Sequence, residues 1–141
     1  MKQSPIFSKT YDMLLWILPA TTKFPREQRF VLARAVQETA LRFQERLIEG
    51  GLATGRERQR ALAQADIELT KLRFYLRLCQ DMELITQRQY QHAAKLTTDV
   101  GKLLGGWRQS INTASRTEQS PNAGAGQQGT VSCGAGRGTT M

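Results

Sequence analysis

Apolar residues recur at alternating steps of three and four along two long stretches of this chain. Leu62, Ala65, Leu69, Leu72, Leu76 and Cys79 make the first run, and Tyr90, Ala93, Thr97, Val100, Leu104, Trp107 and Ile111 the second. Such a run keeps apolar side chains on one stripe of an α-helix, so two runs of about five turns predict two helices packed along their length. Between them, Thr86 and Gln89 form the two halves of a capping box, which starts the later helix and lets it run to about Asn112. The earlier one spans about Arg56 to Met82. Upstream, a further helix is predicted from Pro25 to Glu49. Leu32, Val36, Ala40, Phe43 and Leu47 face inward; Arg34, Glu38, Arg42, Glu45, Arg46 and Glu49 alternate in sign on the outside, and Gly50-Gly51 stops it. The first helix is predicted from Ser8 to about Thr22 with Phe7, Tyr11, Leu14 and Leu18 as its stripe, and Pro19 must either kink it or end it. Short connections make neighbours antiparallel. The expectation is an all-α, up-down-up-down four-helix bundle over residues 1–112. From Thr113 to Met141 the text is rich in Gly, Ser and Thr and too poor in apolar residues to order itself, so a flexible tail is expected there.

The chain has 141 residues, 40% of them hydrophobic, which fits one domain with a working core. Its longest apolar run, Met13 to Leu18, is far short of the about 20 residues of a membrane span. No signal-peptide pattern precedes it, so the expected location is the cytoplasm. Cys79 lies on the helical stripe and Cys133 in the tail, which argues against both a disulfide and a metal site. Gly101, Gly105 and Gly106 fall inside the last helix, where each costs up to about 1 kcal/mol against alanine. Their presence implies close approach of another helix or room for the Trp107 indole.

Catalytic constellations are missing. The single histidine, His92, sits beside the apolar stripe as a polar boundary residue, no Glu-x-x-His pair suggests a di-iron bundle, and no phosphate-binding glycine loop follows a strand. The reading is therefore a protein with no enzymatic activity and no cofactor. Charge is the more informative property. Twenty Lys and Arg against twelve Asp and Glu leave +8, about +7 of it outside the tail. A surplus of this size fits nucleic acid or another polyanion, and equally fits solubility alone. Three cationic groups stand out. Arg88, Lys95 and Lys102 are seven apart, so each step is about 10.5 Å along one helical stripe, a row that can follow phosphates. Lys71, Arg73 and Arg77 form a second group, with Arg73 and Arg77 on one face. Lys23, Arg26 and Arg29 surround the turn into the second helix. No acids match them in the sequence, and aromatic residues do not interleave with them as stacking platforms, so phosphate and shape contacts are expected rather than base reading. Arg56, Arg58 and Arg60 crowd the first turn of the third helix, where the helix dipole disfavours them, which hints at a use. Ile67, Phe74 and Leu78, with Leu96 and Leu103, lie off the main stripes and imply a partner surface, self-association being the simplest case.

Several segments are familiar together: Tyr11 to Pro19 (YDMLLWILP), Phe24 to Phe30 (FPREQRF), Leu72 to Leu78 (LRFYLRL), Gln89-Tyr90, and Gly101 to Trp107 (GKLLGGW). Through them the chain, from Tyr11 to Ile111, resembles the accessory variability (Avd) proteins of diversity-generating retroelements. These fall within a wider four-helix-bundle family that includes proteins encoded in ribosomal RNA intervening sequences. The resemblance implies a pentameric barrel of bundles that binds a reverse transcriptase and its template RNA, with cDNA as a further nucleic-acid ligand, and supports adenine-mutagenised cDNA synthesis. Arg26, Arg29, Arg73 and Arg77 lie in the shared segments. Arg88, Lys95 and Lys102 rest on spacing alone. The alternative is a bundle of the same kind acting as a structural or interaction module with no nucleic-acid role.

Overall fold

The structure, a computed structural model, describes the backbone of residues 5–140 and the side chains of residues 5–115. Among the described residues every regular element is helical. Helix α1 is Pro5–Thr22. Helix α2 is one rod made of Arg26–Gln28, a π-helical turn Arg29–Ala33 and Arg34–Leu52. Helix α3 is Gly55–Asp81, and α4 is Gln87–Thr140. The chain divides into two units, Met1–Gly106 and Trp107–Met141. The first holds the bundle; the second is helical backbone to Thr140, beyond the Asn112 end expected for the last helix. The flexible tail expected from Thr113 falls mostly on residues 116–141, outside the described side chains.

Cross-contacts give the helix directions. Gln37 Nε2 donates to Thr21 Oγ1 at 2.8 Å, and Tyr11 and Leu14 line a groove with Leu41 and Gln44. Arg42 reaches Glu68, while Gly50 faces Leu62. Leu69 faces Gly101, and Leu76 lines a cleft with Tyr90 and Ala94. In each pair the residue numbers rise on one helix as they fall on the other, so α1 to α4 alternate in direction as expected. The stripes on α2, α3 and α4 are the core: Val36, Ala40, Phe43, Leu47, Leu62, Ala65, Leu72, Cys79 and Ala93 are all fully buried.

The first helix is phased differently from the expectation. Its buried face is Ile6, Thr10, Met13, Leu14, Ile17 and Thr21, whereas Tyr11 and Leu15 are exposed. Two threonines on the inner stripe made the neighbouring stripe look the more apolar. Thr21 tolerates burial because its hydroxyl donates to Ile17 O and Leu18 O, at 3.0 and 3.1 Å, and accepts from Gln37. Pro19 neither ends α1 nor lies in its middle; it sits in the last turn, where Thr22 Oγ1 donates to Pro19 O at 2.7 Å.

Gly50-Gly51 does not stop α2, which continues to Leu52. A Cβ on Gly50 would stand 2.5 Å from Leu62 Cδ2, so this glycine lets α2 and α3 approach closely. Arg58 explains one cation of the crowded turn. Its Nε donates to Gly50 O at 2.8 Å and Ala53 O at 2.9 Å, and Nη2 to Gly51 O at 3.3 Å. It therefore satisfies carbonyls that the end of α2 leaves open. The capping box at α4 forms as expected: Gln89 N–H donates to Thr86 Oγ1 at 3.0 Å and Thr86 N–H to Gln89 Oε1 at 2.8 Å.

Candidate nucleic-acid interface

The turn from α1 into α2 is pinned by Phe24, which is buried, while Lys23, Arg26 and Arg29 around it are exposed. Pro25 has φ −56° and ψ 153°, just outside the helix, and its carbonyl accepts from the N–H of Gln28 and Arg29 at 3.0 and 3.1 Å. Arg29 Nε donates back to Phe24 O at 3.3 Å. The π turn follows at once. Counting back seven residues from buried Val36 lands on Arg29, which an unbroken α-helix would point inward. A π turn holds an extra residue, and that offset turns Arg29 out. The same turn leaves Phe30 and Val31 exposed. Aromatics are not expected from the sequence to interleave with the cations as stacking platforms, yet Phe30 stands exposed beside Arg26 and Arg29, and its exposure follows from a backbone irregularity that apolar periodicity does not signal.

On α3, Arg73 and Arg77 are exposed one turn apart. Arg73 Nη2 donates to Thr97 O at 3.1 Å, and its guanidinium lies over Gly101, where a Cβ would collide with it. Gly101 is therefore a notch for a cation rather than for an indole or a helix backbone. Apart from their chain neighbours, Gly105 and Gly106 have nothing within 4 Å of a Cβ, so close approach of another helix of this chain does not account for them.

Two members of the candidate set have acids that the sequence did not pair with them. Lys71 Nζ is 3.9 Å from Glu68, and Lys95 Nζ 3.4 Å from Asp99. Glu68 is a buried carboxylate missed by sequence reasoning, and Arg42 Nε approaches it at 3.4 Å. A buried carboxylate needs such partners to offset its lost hydration. Arg34 is likewise engaged, at 2.9 Å from Glu38. That bond holds the Glu38 carboxyl below its usual range and the guanidinium above its own. Among the described residues, Lys23, Arg26, Arg29, Arg77, Arg88 and Lys102 have no carboxylate within ion-pair distance.

The α4 row and the Arg73–Arg77 pair do not share a face. Arg88, Lys95 and Lys102 are exposed, on a stripe about 160° around α4 from Thr97 at about 100° per residue, so they face away from the groove that Arg73 spans. Lys23, Arg26 and Arg29 flank the α1–α2 connection and Arg88 follows the α3–α4 connection, which alternating directions bring to the same end of the bundle. From that end the α4 row descends through Lys95 to Lys102.

Apolar surface accompanies the cations. Ile67, Phe74 and Leu78 are exposed on α3 as expected, whereas Leu96 and Leu103 are half-buried. A groove of about 330 Å³ between α1 and α2, lined by Tyr11, Leu14, Leu15, Leu18, Pro19, Leu41 and Gln44, was not foreseen. His92 is exposed with its ring 5.0 Å from that of Trp16, tilted by 58°, and so helps join α4 to α1. Among the described residues no cluster of His, Cys, Asp or Glu is arranged to hold a metal ion, and no helix is long and apolar enough to cross a membrane.

Comparison with known proteins places this geometry. A crystal structure of a protein of unknown function from the S23 ribosomal protein family, from Bacteroides thetaiotaomicron, shares the fold with a TM-score of 0.68. The two chains are 22% identical, over 74% of this chain and 95% of that one. No curated protein matches the chain. A family model described as bAvd-like matches residues 5–111, from the start of α1 to the last seam position of α4. The chain belongs to the bAvd-like family.

Proposed function

We propose that this protein is a non-catalytic, cytoplasmic accessory subunit of a diversity-generating retroelement. It assembles with copies of itself and holds a reverse transcriptase and its template RNA during mutagenic cDNA synthesis. The observation that carries the reading is the exposure of Arg26, Arg29, Arg73 and Arg77 in the segments through which the chain resembles Avd proteins. Cations without carboxylate partners neutralise phosphates and release counterions, and this supplies affinity without sequence reading. The two apolar surfaces, the α1–α2 groove and the Ile67–Phe74–Leu78 face of α3, are different patches. Different patches meeting head to tail build rings when the rotation closes, which is compatible with the five-membered barrel that the resemblance implies.

The test is cDNA synthesis reconstituted from the polymerase, its template RNA and this protein. Reversing charge at Arg73 and Arg77 is expected to abolish product while helical circular dichroism and sedimentation stay unchanged; normal synthesis would overturn their role. The exposed apolar surfaces also suit a second reading, an interaction module with no nucleic-acid role. Stable assembly without any RNA binding would favour it, and a monomer in sedimentation would count against the ring.

A further inference from the structure

Phe30 is 72% and Val31 70% exposed, on the outside of the π turn. The π geometry is set by the Arg34 N–H donating to Arg29 O, five residues back. Arg26 lies one turn before Phe30, Arg29 is its neighbour, and Lys23 stands in the preceding connection. None of the three has a carboxylate within ion-pair distance among the described residues, although Glu27 is in the same turn. The other exposed phenylalanine, Phe74, has a different setting. Ile67 and Leu78 share its surface, and of the cations around it Lys71 is paired with Glu68 and Arg73 is tied to Thr97 O, which leaves Arg77 one turn on. That surface suits an apolar protein partner, whereas an aromatic ring among unpaired cations suits a base flanked by phosphates. Bases stack on such rings with little sequence preference while cations track the backbone.

We infer that Phe30 is a stacking platform for an unpaired base of single-stranded RNA, with Lys23, Arg26 and Arg29 meeting the flanking phosphates. The inference rests on the RNA-binding reading above and names the strand form and the contact. Duplex RNA keeps its bases stacked on one another and gains nothing from Phe30.

The probe is a short single-stranded RNA carrying 2-aminopurine, whose fluorescence is quenched on stacking, titrated with the full-length protein. Wild type is expected to quench it. Phe30→Leu keeps an apolar side chain but should lose the quench and about five- to a hundredfold in affinity; Phe30→Tyr should restore both. The matching duplex should bind all three proteins alike. Wild-type binding that falls with salt but is indifferent to Phe30→Leu would overturn the inference and leave the proposed function standing. A change in sedimentation coefficient on Phe30→Leu would assign the ring to a contact between copies and also overturn it. Failure of wild type to bind RNA at all would remove the reading on which it rests.

Discussion

One substitution made at different glycines separates helix propensity from packing. Alanine is favoured over glycine in a helix interior by about 0.8–1 kcal/mol. At Gly105 and Gly106 a Cβ meets nothing within 4 Å, so each change should stabilise by nearly that full amount. At Gly50 the same Cβ would stand 2.5 Å from Leu62 Cδ2, 3.1 Å from Leu62 Cγ and 3.7 Å from the Ala61 Cβ. Leu62 is fully buried and cannot step aside into water. Overpacking of this kind costs about 1–3 kcal/mol, so Gly50→Ala should be neutral to about 2 kcal/mol destabilising. At Gly101 the obstacle is the guanidinium end of exposed Arg73, which can swing away. Gly101→Ala should therefore fall between the others, gaining propensity and losing the bond to Thr97 O. Urea unfolding followed by far-ultraviolet circular dichroism, at one fixed protein concentration, measures all four. Gly50→Ala and Gly105→Ala should differ by about 1–3 kcal/mol. Equal stability of these two variants would refute the packing of α2 on α3 described above.

Glu83 has φ +60°, and around it Leu84 N–H donates to Cys79 O and Glu83 N–H to Gln80 O, both at 2.9 Å. This is a Schellman cap with a side chain where glycine is the favoured residue, so Glu83→Gly should raise stability by roughly 0.5–1 kcal/mol, read as a higher melting temperature. Arg58→Met should cost about 1–2 kcal/mol by stranding carbonyls at the end of α2. Arg58→Lys should rescue little of it, because an ammonium cannot reproduce the fork; full rescue would contradict the capping role. Burial pushes the Cys79 thiol from 9.0 up to about 11. The folded state therefore resists forming the thiolate. The stability tied to Cys79 is complete below pH 9 and is lost as pH rises through about 11. In a Cys133→Ser background, a thiol reagent at pH 8 should label Cys79 only as fast as the protein opens, and immediate labelling would contradict its burial.

The middle and end of the bundle were readable because residue type and burial coincide there. Leu62 to Cys79 and Ala93 to Leu104 alternate three and four with little ambiguity, and Thr86 with Gln89 announced the start of α4. Legibility failed where burial and apolarity part company. Thr10 and Thr21 are buried while Tyr11 and Leu15 are not, so α1 was rotated to the wrong stripe. Gly50 has the residue type of a helix stop but serves as a contact, and only the neighbouring Leu62 reveals it. For the candidate site, the cations were visible as residues, but their partners across or along helices were not: Glu68 is three residues from Lys71, yet its burial depends on α2. Phe30 was hidden because a π turn changes the register at which every upstream residue faces the core.

The central claim is that unpaired cations on this scaffold hold a polyanion. Its most direct measurement is the affinity of the purified protein for a single-stranded RNA of defined length between about 50 and 200 mM salt. With three to six phosphates neutralised at about 0.7 each, log affinity should fall against log salt with a slope of about −2 to −4. Charge reversal at Arg26 and Arg29 should make that slope shallower. Affinity that stays flat across this range, or a slope that both reversals leave unchanged, would contradict the account.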